Sequence, residues 1–249
     1  MPDAAAYLRA IVDESTVLVD AAVVAGLDAR VPSCPEWDVA ALLGHIGGVQ
    51  RWAADMSQRA PDAERVPRDE RAVPGTGELV DWFRAGTGIL VDALDRPADE
   101  PAWSWIPPAT VGFWQRRQAH EAAMHRVDAQ LAARSSARSS AGAPTPIPVE
   151  LATDGIDEFL SMIQAFGPPG LAGSGETLHF HCTDIAGEWL VYLGPDGVAL
   201  EREHAKGDVA VRGAASALLC WLQGRGSLEP LEVFGDGALL DRWRTNTAW

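Results

Sequence analysis

Cysteine is scarce in this sequence of 249 residues, which contains only Cys34, Cys182 and Cys220. The three are widely spaced, odd in number and include no Cys-x-x-Cys pair, a pattern that argues against a disulfide framework. Thiols of this kind are typical of proteins in a reducing compartment. We therefore expect a cytoplasmic protein.

Positive charge is also scarce. The sequence has 20 lysines and arginines and 35 aspartates and glutamates, which gives a formal net charge of −15. Such a surface repels nucleic acid and acidic membrane faces, so we predict neither as a partner. Charged residues such as Asp3, Arg9 and Asp13 interrupt the N-terminal segment. We therefore predict no signal peptide and no membrane span there.

Several catalytic signatures are missing too. The sequence has no glycine-rich phosphate loop, no Gly-x-Ser-x-Gly elbow and no dinucleotide-binding fingerprint. These absences argue against nucleotide-driven chemistry and against a serine hydrolase.

Helical periodicity dominates the first half of the chain. Apolar residues recur at helical spacing over residues 3–28, 77–95 and 112–134, and a further helix is predicted from about Pro35 to Arg59, with Ser33 as a possible N-cap. Residues 135–148 are small, polar and proline-rich, which is typical of a linker. We predict a first domain over residues 1–134, a linker over 135–148 and a second domain over 149–249.

The second domain has a different periodicity. Leu178, Phe180 and Cys182 alternate with His179 and His181, which predicts a strand, and two more strands are expected over residues 189–193 and 208–212. Short helices are predicted over 214–223 and 238–244. The fold class is therefore α+β, with a helical bundle followed by a small antiparallel sheet that carries helices on one face.

Three residues from distant segments form a candidate metal site. Glu121 and His125 are four apart on a predicted helix, so their side chains lie on one face, about 40° apart. His45 shares the apolar stripe of its own helix and points inward. His120 lies about 140° from His125 and points away. Two imidazoles and a carboxylate with an open fourth position are typical of catalytic zinc.

Alternatives remain at this point. Iron, nickel or manganese would also suit these residue types, and a histidine on a bundle helix is most often a hydrogen-bonded core residue. Asp128 lies one turn beyond His125 and could orient its imidazole. Glycines 44, 47 and 48 flank His45, and each costs a helix about 1 kcal/mol relative to alanine, so a close helix contact or a ligand should offset that cost.

His179 and His181 form a second, weaker candidate. They lie two apart on a predicted strand and so face the same side, where they could chelate a metal. Because no third ligand is evident nearby in the sequence, we interpret them as part of a polar sheet face.

Three segments, in order, resemble one known family: residues 31–45 (VPSCPEWDVAALLGH), 119–129 (AHEAAMHRVDA) and 208–225 (DVAVRGAASALLCWLQGR). Together they look like the mycothiol-dependent maleylpyruvate isomerase family, within the wider group of DinB-like metal-binding bundles. Val127 departs from the family pattern, in which an aromatic residue is expected.

The resemblance implies an N-terminal DinB-like, up-down four-helix bundle that holds a divalent metal, usually zinc, with His45, Glu121 and His125. It implies a smaller C-terminal α/β domain similar to sterol-carrier domains. It also implies mycothiol as the thiol cosubstrate and an arginine from the second domain that orients an acidic substrate. We assign Arg225 to that catalytic role, with Arg212 as the runner-up.

The chemistry implied by this resemblance is thiol activation. A metal-bound thiol is held as thiolate, which either adds reversibly to a conjugated double bond and so isomerises it, or attacks an electrophile and remains attached. The expected partners are therefore a small-molecule thiol and a small electrophilic substrate, in a monomer or homodimer. The alternative is a non-catalytic bundle that binds a metal or a lipid-like ligand as a carrier.

Overall fold

The computed structural model describes residues 2–67, 72–136 and 142–247. The chain divides into two compact units, one from Pro2 to Thr145 and the other from Pro146 onwards. Residues 137–141, which belong to the predicted linker, lie outside the described residues.

The first unit is built of four helices: α1 (Ala4–Ala25), α2 (Val39–Ser57), α3 (Leu79–Leu94) and α4 (Val111–Ser135). Helix α1 packs mainly on α4 and α2 mainly on α3, whereas α1 and α2 contact each other little. The consecutive helices α1 and α2 therefore lie across the bundle from one another. Their shared core contains Leu18, Leu42, Ile46, Phe83 and Ala129, all of which are buried.

Local sequence signals explain where the helices begin and end. Asp3 caps α1 by accepting a hydrogen bond from Ala6 N at 2.7 Å, and α1 ends before Gly26, whose φ of 88° suits glycine. Helix α2 begins at Val39, where the Asp38 carboxylate accepts from Ala41 N at 2.8 Å. The predicted start at Pro35 with Ser33 as N-cap is therefore wrong, because the residue that caps the helix is Asp38, five residues further along.

The glycines of α2 allow a close helix contact. A Cβ atom added to Gly47 would lie 2.4 Å from Cζ3 of Trp82, so the Trp82 ring of α3 occupies the space that a side chain would need. The Arg51 guanidinium stacks on that ring at 3.9 Å from its centroid and donates to the Trp82 carbonyl at 2.6 Å. At Gly47, helix packing thus offsets the cost of a helical glycine.

A buried ion pair ties α4 to α1. Arg126 Nε donates to Glu14 Oε2 at 2.6 Å, and the two residues are only 2% and 7% exposed. The same guanidinium donates through Nη1 to Gln130 Oε1 at 2.8 Å and to Thr145 Oγ1 at 3.0 Å. Because several acceptors surround it, this buried charge is well satisfied.

The second unit contains a five-stranded sheet in the order β3-β2-β1-β4-β5. Its strands are β1 (Glu176–Cys182), β2 (Glu188–Gly194), β3 (Gly197–Glu201), β4 (Val209–Gly213) and β5 (Glu232–Gly235). Its helices are α5 (Val149–Phe166), α6 (Ala215–Leu222) and α7 (Gly237–Thr247), with a short 3-10 turn over Pro169–Leu171.

The sheet is mixed, so the expected antiparallel arrangement is wrong for one pair. Strand β1 runs antiparallel to β2 but parallel to β4, with Phe180 opposite Val211. The connection from β1 to β4 passes through β2 and β3, a long-range feature that local alternation does not reveal. Helix α5 and strands β3 and β5 were also not predicted.

Among the residues described, no helix combines the length and the apolar character needed to cross a bilayer.

Candidate metal centre

Helices α2 and α4 bring the predicted histidines together. The ring centroids of His45 and His125 lie 5.3 Å apart, with the ring planes at 65°. Two imidazoles bound to one tetrahedral zinc, with Zn–N bonds of 2.0–2.1 Å, would have centroids about 5.2 Å apart. The separation of the rings therefore suits two ligands of a single ion.

Glu121, the third residue of the predicted set, lies one turn before His125 and contacts it. Its Oε2 lies 3.3 Å from His125 Nε2, a distance close to the roughly 3.3 Å between two ligand atoms on a tetrahedral zinc. Its Oε1 accepts a hydrogen bond from Arg117 Nε at 3.1 Å, and Arg117 Nη2 also contacts it. Arg117 therefore holds this carboxylate within the bundle.

Electrostatics favour a positive charge at this centre. Burial opposes ionisation of Glu121, but the Arg117 guanidinium and His125 outweigh it and hold the pKa of that carboxyl well below its usual range. Burial likewise opposes charging of His125, but hydrogen bonds to Asp128 and Glu121 outweigh it and raise the pKa of that imidazole to about 9. The surroundings of His125 thus stabilise a cation between two carboxylates.

Asp128 orients His125 from behind. Its Oδ2 lies 2.9 Å from His125 Nδ1, its Oδ1 accepts a hydrogen bond from Ser33 Oγ, and the residue is fully buried. With Nδ1 engaged in this way, Nε2 faces Glu121. A carboxylate behind an imidazole is the usual support of a metal-binding histidine.

Aromatic packing surrounds the two imidazoles. The Trp37 ring lies 4.7 Å from the His45 ring and 6.3 Å from the His125 ring, centroid to centroid. His120 packs edge-on against Tyr7 at 6.2 Å, in a contact of α4 with α1. It is buried, but it belongs to a different face of α4 from His125.

The two arginines predicted for the site belong to the second unit. Arg225 follows α6, where its Nη1 donates to the Gln223 carbonyl at 2.7 Å and its backbone N–H donates to Cys220 O. Arg212 lies on β4 with its Nε 3.7 Å from Glu232 Oε2, which is a solvent-exposed pair. The role of Arg225 at the metal centre remains a prediction.

Within residues 2–67, 72–136 and 142–247, one group of His, Cys, Asp and Glu side chains has its ligand atoms all within 4.8 Å of one another, and it is in the second unit. The group consists of His179, His181, Glu188 and His204. Glu121 Oε2 and His125 Nε2 already lie 3.3 Å apart, so closure of the three side chains around one ion requires His45 to move closer to them.

Sequence reasoning missed several of these contacts. Arg117 lies four residues before Glu121 on one helix, so its ion pair was visible as an i, i+4 spacing. Glu188 lies opposite His181 in the β1–β2 register, a signal available once the two strands are paired. The contact of Ser33 with Asp128 joins residues 95 apart and has no local signal.

The fold and the site together define a helical bundle with a histidine–carboxylate centre, joined to a small α/β unit. The sequence profile of the mycothiol maleylpyruvate isomerase N-terminal domain matches residues 8–130, and that of the MDMPI C-terminal domain matches residues 150–242. The chain therefore belongs to the mycothiol-dependent maleylpyruvate isomerase family.

Solved structures agree with this assignment at the level of the fold. The mycothiol-dependent maleylpyruvate isomerase and its histidine-to-alanine variant each align with a TM-score of 0.64 and 14% identity, over 93% of either chain. The predicted α+β fold, with a DinB-like helical bundle and a smaller C-terminal sheet with helices, is confirmed. No curated protein sequence matches the chain significantly.

A ubiquinone synthesis protein described as UbiJ-SCP2 aligns with 41% of this chain and 93% of its own, at 20% identity and a TM-score of 0.31. A likeness this distant carries no weight. The similarity of the second unit to sterol-carrier domains therefore remains a prediction.

Proposed function

We propose that this chain is a metal-dependent enzyme that uses mycothiol to isomerise a small, conjugated, acidic electrophile. The observation that carries the proposal is the approach of His45 to His125, with Glu121 in contact with His125 and Asp128 behind it, in a member of this family. Transfer of the thiol to an electrophile would use the same site and is the second outcome to test.

The metal in this proposal is zinc, held by His45, Glu121 and His125. The donor set fits, because two imidazoles and one carboxylate leave a fourth position for an exogenous ligand. A divalent cation in that position would lower the pKa of a bound thiol and keep it as thiolate at neutral pH.

The protein side chains would contribute orientation and exclusion of water. Asp128 would orient the ring of His125, and Arg117 would hold Glu121 through Oε1, which leaves Oε2 for the metal. Trp37 covers one side of both imidazoles, which keeps bulk water from that side. A drier site strengthens each electrostatic interaction within it.

We assign binding of the substrate carboxylate to Arg225 in this proposal. A guanidinium matches a carboxylate in two parallel hydrogen bonds and would stabilise the enolate formed by thiol addition. Cys34, Cys182 and Cys220 form no disulfide, which suits a reducing cytoplasm, where we place the enzyme, as a monomer or homodimer.

Calorimetric titration with mycothiol tests the proposal. The zinc-loaded protein should bind mycothiol, and His45→Ala should abolish that binding together with isomerisation of maleylpyruvate. His120→Ala is the matched control, because it removes a buried histidine next to Glu121 that packs on Tyr7 instead. Mycothiol binding that survives chelation of the metal, or survives His45→Ala, would contradict coordination of the thiol. Uptake of an apolar ligand without any thiol binding would favour a carrier.

A further inference from the structure

The second unit contains a cluster of three histidines and a glutamate that the proposed function does not use. His179 and His181 lie two apart on β1 and so face the same side of the sheet. Glu188 begins β2 directly opposite His181. His204 comes from the segment between β3 and β4. Three separate stretches of chain therefore meet at one point.

The three imidazoles converge on a single oxygen atom. Glu188 Oε2 lies 3.0 Å from His179 Nε2, 3.2 Å from His181 Nδ1 and 2.5 Å from His204 Nδ1. A carboxylate oxygen offers about two lone-pair sites, so three nitrogens around it exceed its capacity for hydrogen bonds. This convergence is the arrangement of ligands around a common centre.

The orientation of the rings leads to the same conclusion. The three pairs of ring planes meet at 83°, 88° and 79°, with centroids between 5.7 and 6.4 Å apart. Stacked imidazoles would be close to parallel, whereas these present their nitrogen-bearing edges to one point. The ligand atoms of a tetrahedral zinc lie about 3.3 Å apart, so an ion could bind among these three nitrogens once the Glu188 carboxylate, whose Oε2 lies between them, moves outward.

We propose that His179, His181, Glu188 and His204 form a second metal site, for a divalent transition-metal ion of the zinc type. Imidazole nitrogens suit zinc, copper, iron and nickel, whereas magnesium and calcium prefer sets made entirely of oxygen. The ligand atoms all lie within 4.8 Å of one another, so a small adjustment of the side chains would place all four around one ion.

The segment that carries His204 is anchored on both sides. Before it, Arg202 Nε donates to Asp157 Oδ1 of α5 at 2.5 Å. After it, Asp208 Oδ2 accepts hydrogen bonds from Thr177 N and Oγ1, each at 2.8 Å. His204 is therefore held near the other ligands by contacts outside the cluster.

Gly207 lets this segment lie directly on β1. A Cβ atom there would come within 3.0 Å of His179 N and 2.7 Å of Val209 O, so a larger residue would push the segment away from the strand. The close approach brings the His204 ring to 5.7 Å from the His179 ring. The backbone geometry thus supports the cluster independently of the side chains.

Exposure provides an entry path for an ion. The His179 side chain is 8% exposed and that of His204 is 79% exposed, so the cluster is closed on the strand side and open at His204. Glu188 and His204 also line a cleft of about 530 Å³, together with Trp189, Asp157 and Arg202. An ion bound here would lie at the rim of a space large enough for a small molecule.

Zinc binding by the full-length chain tests the proposal, with the bundle site silenced by His45→Ala. The apoprotein is prepared with a chelator and titrated with zinc alone, and bound metal is counted by elemental analysis. The His45→Ala protein should bind one zinc per chain. Adding His204→Ala should lower the affinity for that zinc by more than the roughly 10–100-fold that is lost when a residue supporting a metal ligand is removed.

Glu203→Gln in the His45→Ala background is the matched control. It removes an exposed carboxylate that neighbours His204 and lines the same cleft, yet lies outside the cluster. Zinc binding should be unchanged by it, whereas Glu188→Gln should weaken binding. Because His204 is exposed, its alanine variant should fold, which circular dichroism would check.

Two results would overturn the second site: no zinc bound by the His45→Ala protein, or equal zinc affinity with and without His204. Failure of the bundle site would look different. The wild type would then bind one zinc per chain. His45→Ala would not change the binding of that zinc, whereas His204→Ala would abolish it. Cobalt(II) offers a second readout, since its visible absorption should appear in His45→Ala and disappear when His204→Ala is added.

Discussion

Asp128 provides a sharp test of how the bundle would hold its metal. The residue is fully buried, and its carboxylate lies 2.9 Å from His125 Nδ1. Asp128→Asn keeps the size of the side chain but removes its charge. His125 should then become a poorer ligand, because a neutral amide polarises the imidazole less than a carboxylate does.

The expected loss of zinc affinity follows from carboxylates that support metal-binding histidines in other metal sites. Loss of a carboxylate behind a ligating histidine costs about 10–100-fold in metal affinity. That range corresponds to about 1.4–2.7 kcal/mol of binding free energy. Asp128 should fall in the upper part of the range, because its burial leaves no water to substitute for the lost charge.

The assay is competition for zinc against a chromogenic chelator, in a His204→Ala background that removes the second proposed site. Ser33→Ala is the matched control, because it removes a hydrogen bond to Asp128 Oδ1 while leaving the carboxylate on His125. Ser33→Ala should lower the affinity for zinc less than Asp128→Asn does. Equal zinc affinity in Asp128→Asn and the parent protein would refute the role given to Asp128.

Three further predictions concern stability and thiol chemistry. Arg126→Met should destabilise the first unit by about 3–5 kcal/mol in urea unfolding, since it leaves Glu14 buried without its charged partner. Gly47→Ala should cost about 1–3 kcal/mol, because the new methyl group would overlap the Trp82 ring. Burial and the neighbouring Asp184 raise the pKa of Cys182 to about 12. Its thiol therefore stays protonated at neutral pH, and peptide mass spectrometry should show slow alkylation that speeds up only as the pH rises towards that value.

Controls make each of these outcomes decisive. Gly88→Ala on α3 should be neutral or mildly stabilising, because a Cβ atom there has open space. Equal losses of stability from Gly47→Ala and Gly88→Ala would contradict the close packing of Gly47 on the Trp82 ring. Full stability of Arg126→Met would show that the ion pair contributes little. Alkylation of Cys182 as fast as that of the half-buried Cys34 would contradict its shifted pKa.

Helical periodicity predicted most of the first unit, because an amphipathic helix repeats its apolar face every three to four residues whatever its partners are. The same geometry predicted that Glu121 and His125 share a face. The start of α2 was misplaced because Ser33 and Asp38 are both good caps, and the tertiary contact of Ser33 with Asp128 decides between them.

The second unit was harder to predict because its contacts are less local. His179 and His181 were recognised as a same-face pair, but the residues that join them come from β2 and from the segment after β3. Placing His204 requires the crossover that pairs β1 with β4 in parallel, and alternation within one strand carries no such information.

Anomalous scattering at the zinc edge, from crystals grown with zinc, tests the central claim most directly. We predict a peak within about 2.0–2.2 Å of one ligand atom each from His45, Glu121 and His125, with a fourth position open for a thiol. A map with no peak among these three side chains, while zinc is bound elsewhere in the same chain, would contradict the account.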